Sequence, residues 1–118
     1  MTGIIFFATE DLETMVTFYR TTFGATVWLE QPDCTILQLD NQLLGFCDRD
    51  QTDTDGVVTI VTEDQDGVDD LYARLSIEGD DPPAVNERYE IYHFYTTDPD
   101  GRSVEVQTFL HDTAPITW

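Results

Sequence analysis

The segment Ala8-Thr9-Glu10-Asp11 returns as Val61-Thr62-Glu63-Asp64, an offset of 53 residues that also carries Met15 onto Val68, Phe18 onto Leu71 and Tyr19 onto Tyr72. Self-similarity at a fixed spacing constrains a fold more than any single motif, because it demands two copies of one structural unit. In both copies a short apolar run, 3–8 and then 57–61, precedes the shared segment, and a helical pattern follows it. Leu12, Met15, Val16, Tyr19 and Phe23 recur at spacings of three and four, as do Val68, Leu71, Tyr72 and Leu75, so each set lies on one helix face. Asp11 and either Asp64 or Asp66 stand where N-caps belong, and Gly24 and Gly79 stand where the helices are expected to end.

After each helix the pattern turns to extended segments. Residues 25–30, 34–39 and 42–47 read as strands, separated by Gln31-Pro32-Asp33 and Asp40-Asn41, both of which are turn chemistry. In the second copy, 90–97 and 102–109 flank Asp98-Pro99-Asp100-Gly101, a hairpin turn signal, and a weaker strand is expected within 83–88 beside a Pro pair. The acidic stretch 48–55 reads as the linker. The order is β-α-β-β-β twice, which predicts an α+β chain of two βαβββ modules, about 1–50 and 56–112. With 118 residues, the whole is expected to be a single domain with one core.

Charge narrows the partners. Twenty-four acids face five bases, all Arg, for a formal net charge of −19. No basic patch is available to neutralise phosphates, which argues against nucleic acid and against anionic membranes. The acids are threaded between regular apolar patterns, unlike a disordered acidic chain. They predict a solvated acidic surface of the halophilic kind, whose self-repulsion is screened by salt. The longest apolar run is of strand length, so neither a membrane span nor a signal peptide is expected and the expected location is cytoplasmic.

Two further motifs carry a resemblance. Asp11-Leu12-Glu13 with Phe18-Tyr19 and Phe23-Gly24, and the stretch running from Phe94-Tyr95 through Asp98-Pro99-Asp100-Gly101 to Glu105-Val106, resemble the opening helix and closing hairpin of the vicinal oxygen chelate superfamily, which includes glyoxalases, bleomycin resistance proteins and dioxygenases. The resemblance covers nearly the whole chain. It implies that two βαβββ modules pair, with curled sheets forming a cleft and helices outside, and that the protein is a homodimer.

Strand alternation sorts the faces. Val104, Val106 and Thr108, with Tyr92 and Phe94, are assigned to the helix side. Ser103, Glu105, Gln107 and Phe109, with Ile91, His93 and Tyr95, are assigned to the cleft. A two-residue turn at Asp40-Asn41 pairs Leu39 with Gln42 and, further out, Cys34 with Cys47. Leu37, Leu39, Leu44 and Phe46 then share one face, while Cys34, Ile36, Gln38, Leu43, Gly45 and Cys47 share the other. The opening strands add Ile4, Phe6, Val57 and Thr59 to the cleft. Apolar walls with a few directing groups describe a small-molecule site, with Ile4, Phe6, Ile36, Leu43, Val57, Thr59 and Gln107 as ligand-binding candidates. A His in a strand is commonly structural, but His93, Tyr95 and Glu105 on one face make a catalytic candidate set.

In metal-dependent members of the superfamily, His or Gln near the start of each module and Glu or His on each last strand hold a divalent ion. The corresponding positions here are Ile4, Val57, Gly45 and Glu105, so Glu105 alone is retained and no metal cofactor is expected. Tyr95, ten residues before Glu105, matches a spacing in the ring-cleaving dioxygenase branch, but the His positions that would support iron are missing. The Asp-rich stretches lack EF-hand spacing and read as solvated surface.

Three functions follow as expectations. The first is metal-free binding of a small, partly aromatic or apolar compound, cationic or neutral. The second is a metal-free isomerase or lyase with Glu105 as base and His93 or Tyr95 as proton donor or orienting group. The third is a divalent-metal-dependent lyase or dioxygenase with substitute ligands. Cys34 and Cys47 fall at close cross-strand positions, but a cytosolic setting favours two free thiols. Phe109, Leu110, Ile116 and Trp118 leave apolar groups near the C-terminus, for an interface, the cleft mouth or the domain's own surface. His111 is assigned no role.

Overall fold

The computed structural model describes residues 2–115; Ile116 and Trp118 lie outside the described residues. The chain resolves into two units, one comprising 2–55 with Asp98–Gly101, the other Gly56–Thr97 with Arg102–Pro115.

In the first unit, β1 (Ile4–Thr9) leads into α1 (Leu12–Phe23), followed by β2 (Thr26–Glu30), β3 (Cys34–Leu39) and β4 (Gln42–Asp48). The strand order is β1-β4-β3-β2, with β1 parallel to β4 and the remaining neighbours antiparallel. Asp11 caps α1, its side chain accepting from the Thr14 N–H, and Gly24 closes the helix in the left-handed conformation that an L side chain resists. The apolar stripe of α1 meets the sheet through Met15 and Tyr19, both buried, with Tyr19 stacked on Phe46 at 5.1 Å and Phe46 on Phe7 at 6.0 Å. The Tyr19 hydroxyl donates to buried Asp98 at 2.8 Å, which satisfies a polar atom inside that apolar layer.

The second unit repeats the plan: β5 (Val57–Val61), α2 (Gln65–Leu75), β6 (Ala84–Asn86), β7 (Ile91–Thr97) and β8 (Ser103–Phe109), with strand order β5-β8-β7-β6. Asp64, not Asp66, is the N-cap of α2, accepting from the Gly67 N–H. Val68 and the Tyr72–Phe94 pair, 5.2 Å apart and edge to face, join α2 to the buried side of the sheet, where Val58, Phe94, Val104 and Val106 lie. The weak strand expected within 83–88 is β6.

Two expectations need correction. The second helix ends at Ser76, not at Gly79. The Ile77 N–H bonds to the Asp80 carboxylate, and the Asp80 N–H bonds back to the Ile77 carbonyl, so a turn captures the chain before another helical bond forms. Gly79 serves that turn with φ of 97°. Cys34 and Cys47 are not free thiols but a disulfide. Their register pairing falls between hydrogen-bonded positions, next to the Asp48 N–H to Asp33 carbonyl bond, and brings the Cα atoms to 4.0 Å. Strand register therefore outweighs the inference from compartment. Protein purified without reductant is expected to take up no alkyl group from a thiol reagent and to take up two after reduction, read by intact mass. Two groups gained before reduction would contradict the bridge.

Candidate functional site

The face of the second sheet turned away from α2 can be laid out from register alone. Thr59, Glu105 and Tyr95 form one row across β5, β8 and β7, and Val61, Gln107, His93 and Ala84 form the next. Phe109 and Ile91 follow, paired across β8 and β7. Glu105 thus sits on a strand flanked on both sides, and its side chain is only 10% exposed. Among the described residues, which include all twenty-four acids, only Glu105 and Asp98 are buried acids, and a buried carboxylate must find donors.

Glu105 finds them on three strands. Its Oε2 lies 2.7 Å from Nδ1 of His93, Thr59 Oγ1 donates to its Oε1 at 3.0 Å, and Gln107 Nε2 approaches the same oxygen at 3.5 Å, at the limit of a hydrogen bond. An ionised carboxylate only accepts, so with Glu105 charged the proton of the short His93 bond resides on Nδ1. Nε2, on the opposite side of the ring, is then a bare lone pair. The His93 side chain is 17% exposed. The Tyr95 ring meets it edge to face at 5.3 Å. Tyr95, although half-exposed, has its pKa raised above the ordinary tyrosine value by partial desolvation first, then by the negative charge and the acceptor oxygens of Glu105 nearby. Its phenol therefore keeps its proton through the neutral range.

His93, Tyr95, Glu105 and Gln107, but not Thr59, line a concavity of about 390 Å³. Glu105, His93 and Gln107 supply its polar base, while Ile91, Phe109 and Tyr95 supply apolar surface. Asn86 and Tyr89 complete it, and alternation along strands does not find them. Asn86 ends an edge strand, and Tyr89 lies in the turn before β7, which is ordered by the bond from the Tyr89 N–H to the Asn86 side chain. The aromatic content of the segment Arg88-Tyr89 was the available signal; the Arg88 guanidinium lies over the Tyr89 ring at 5.6 Å.

The remaining candidates divide. Thr59 and Gln107 belong to the carboxylate's hydrogen-bond set. Val57 is exposed one row before Thr59, opposite Ser103. In the first unit, Ile36 and Leu43 are almost fully buried and offer a ligand little surface, whereas Phe6 is half-exposed and Ile4 partly so. Phe6 pairs laterally with Gly45, as Thr59 does with Glu105 in the other unit, and its ring occupies the place a Cβ on Gly45 would take. The repeat therefore puts a ring over a glycine in one module and a hydroxyl against a carboxylate in the other.

A divalent ion of the kind weighed from the sequence does not fit this donor set. Such sites take about three protein ligands. His93 and Glu105 are here committed to each other, Ile4 and Val57 are aliphatic, and no three His, Cys, Asp or Glu side chains converge among the described residues.

No family model and no curated protein matches the sequence. Solved structures do match the fold. A lactoylglutathione lyase from Agrobacterium tumefaciens is 22% identical, with a TM-score of 0.73 over 92% of each chain. A glyoxalase/bleomycin resistance protein/dioxygenase from Nocardioides is 21% identical, with a TM-score of 0.71 over 100% of this chain and 89% of the other. An integron cassette protein from the mobile metagenome of the Halifax Harbour sewage outfall is 16% identical, with a TM-score of 0.78 over 92% of this chain and 98% of the other. The chain shares the α+β fold of glyoxalase/bleomycin resistance/dioxygenase proteins. No helix among the described residues is long and apolar enough to cross a membrane.

Because two of the causes acting on Tyr95 come from Glu105, Glu105→Gln is expected to move phenolate formation at Tyr95 to lower pH. The recovery should be partial, since partial desolvation, the largest cause, remains. Titration of the Tyr95 ring carbon by NMR reads this, and an unchanged midpoint would show that the Glu105 charge does not reach the phenol.

Proposed function

We propose that the chain binds a small, neutral and largely apolar organic molecule on the open face of its second sheet, with no metal taking part. The observation that carries this reading is a concavity in which Tyr89, Ile91, Tyr95 and Phe109 lie beside a small polar set centred on one buried carboxylate held from three strands. Such contrast is what a ligand site needs: area for affinity, and a few directed polar groups for orientation. Tyr95 and Phe109 stand half-exposed on either side of His93 and Glu105, so a flat ligand can cover them and recover the apolar area they leave in water. The net charge of −19 disfavours anionic ligands at this face. The glyoxalase-like fold is compatible with this use, and the donor set disfavours the metal-dependent lyase or dioxygenase alternative.

Indole, a neutral flat probe without a reactive proton on carbon, tests the reading. Titration into labelled protein is expected to shift the NMR signals of His93, Tyr95, Gln107 and Phe109 saturably and to leave those of α1 unchanged. Shifts absent from these four residues, or spread evenly over the surface, would contradict a ligand site here.

A further inference from the structure

The expectation from sequence made Glu105 the base; the geometry points to a different division of labour. We propose that His93 is a general base whose Nε2 removes a proton from carbon in a neutral, planar carbon acid, and that Glu105 is the positioning residue that makes this possible. The proposal rests on the preceding reading that this face holds a neutral organic ligand.

Glu105 is poorly placed to act as the base itself. Oε2 accepts from His93 Nδ1 and Oε1 from Thr59 with Gln107, so taking a proton would weaken the bonds that hold the carboxylate, and its side chain is less exposed than that of His93. His93 has the converse arrangement. Its Nδ1 is held by the carboxylate, and Nε2 has no hydrogen-bond partner among the described residues while the ring lines the concavity. A carboxylate on Nδ1 fixes the tautomer, orients the ring and stabilises the imidazolium formed when Nε2 takes a proton. Thr59 and Gln107 in turn hold the carboxylate, so a chain of bonds runs from β5 and β8 to the reacting nitrogen on β7.

The substrate class follows from what accompanies the base. No Ser, Thr or Cys side chain hydrogen-bonds to Nε2 among the described residues, so the imidazole has no nucleophile to activate for acyl transfer. Thr59, the hydroxyl nearest in the network, donates to Glu105. What Nε2 meets is the ligand itself, lying on Tyr95 and Phe109. In the step, the C–H bond breaks, its proton bonds to Nε2, and the electron pair forms a new π bond to the neighbouring atom, whose displaced electrons settle on an electronegative acceptor atom of the same molecule. The proton then passes from the imidazolium to product or water. No oxidant, reductant or further reactant is needed.

Nitrobenzisoxazole provides a direct probe, being a neutral bicyclic carbon acid. Loss of its ring C–H proton forms the nitrile as the N–O bond breaks, so the ring opens to a single coloured product, the cyanonitrophenolate. The native protein is expected to release it saturably, at least about 100-fold faster per site than free imidazole at the same concentration. His93→Gln should abolish the gain, and added imidazole should restore part of it to His93→Gly, which a merely structural histidine would not allow. Glu105→Gln should lower kcat by about tenfold or more with KM little changed, and Glu105→Asp should recover part of the loss. Circular dichroism of each variant separates misfolding from lost chemistry, and rescue by imidazole reports on a folded site regardless. If the probe shifts the His93 and Tyr95 signals but reacts no faster than in buffer, or reacts equally fast with His93→Gln, the base is refuted while the ligand site stands. If neither the probe nor indole perturbs this face, the ligand site fails and the base with it.

Discussion

A carboxylate removed from water must be answered by donors, and in this chain the answer organises one face of a sheet. Burying a polar group without partners costs several kcal/mol, more when it is charged. Glu105 avoids that cost because a hydroxyl on β5, an amide on its own strand and an imidazole on β7 converge on its two oxygens. Each partner is where it is because of strand register, and the register is held by the apolar face turned toward α2. Packing on one side of the sheet thereby determines polar geometry on the other.

The duplication explains why only one module carries this arrangement. Both modules place a residue of the opening strand beside one of the closing strand, Phe6 beside Gly45 and Thr59 beside Glu105. In the first module glycine leaves room, and an aromatic ring lies in it. In the second a carboxylate projects, and a hydroxyl satisfies it. One backbone plan thus gives an apolar pairing in one copy and the start of a polar centre in the other, which His93 and Gln107 complete.

Much of this was legible in the sequence because the signals were periodic. The 53-residue offset and the helical spacings located both helices, and alternation assigned Glu105, Gln107, His93, Tyr95, Ile91 and Phe109 to one face, as the register shows. What escaped depended on contacts between side chains and backbone across turns. The end of α2 was set by Asp80 reaching the Ile77 N–H, not by the glycine that usually marks a helix end. Tyr89 belongs to a turn, where no period predicts direction. Register sets Cys34 opposite Cys47 in the sequence as in the structure, but the bond between them depends on their distance, on which an expectation from compartment has no bearing. The roles of Glu105 and His93 could not be separated without knowing which oxygen faces which nitrogen.

The central claim is that Glu105 holds His93 with the proton on Nδ1 and the lone pair on Nε2. The direct measurement is the nitrogen-15 chemical shift of both ring nitrogens of His93 in labelled protein, at a pH where the ring is neutral. The account predicts a protonated, pyrrole-like Nδ1 and a bare, pyridine-like Nε2, with Glu105→Gln eroding that preference. A neutral ring carrying its proton on Nε2 would contradict it.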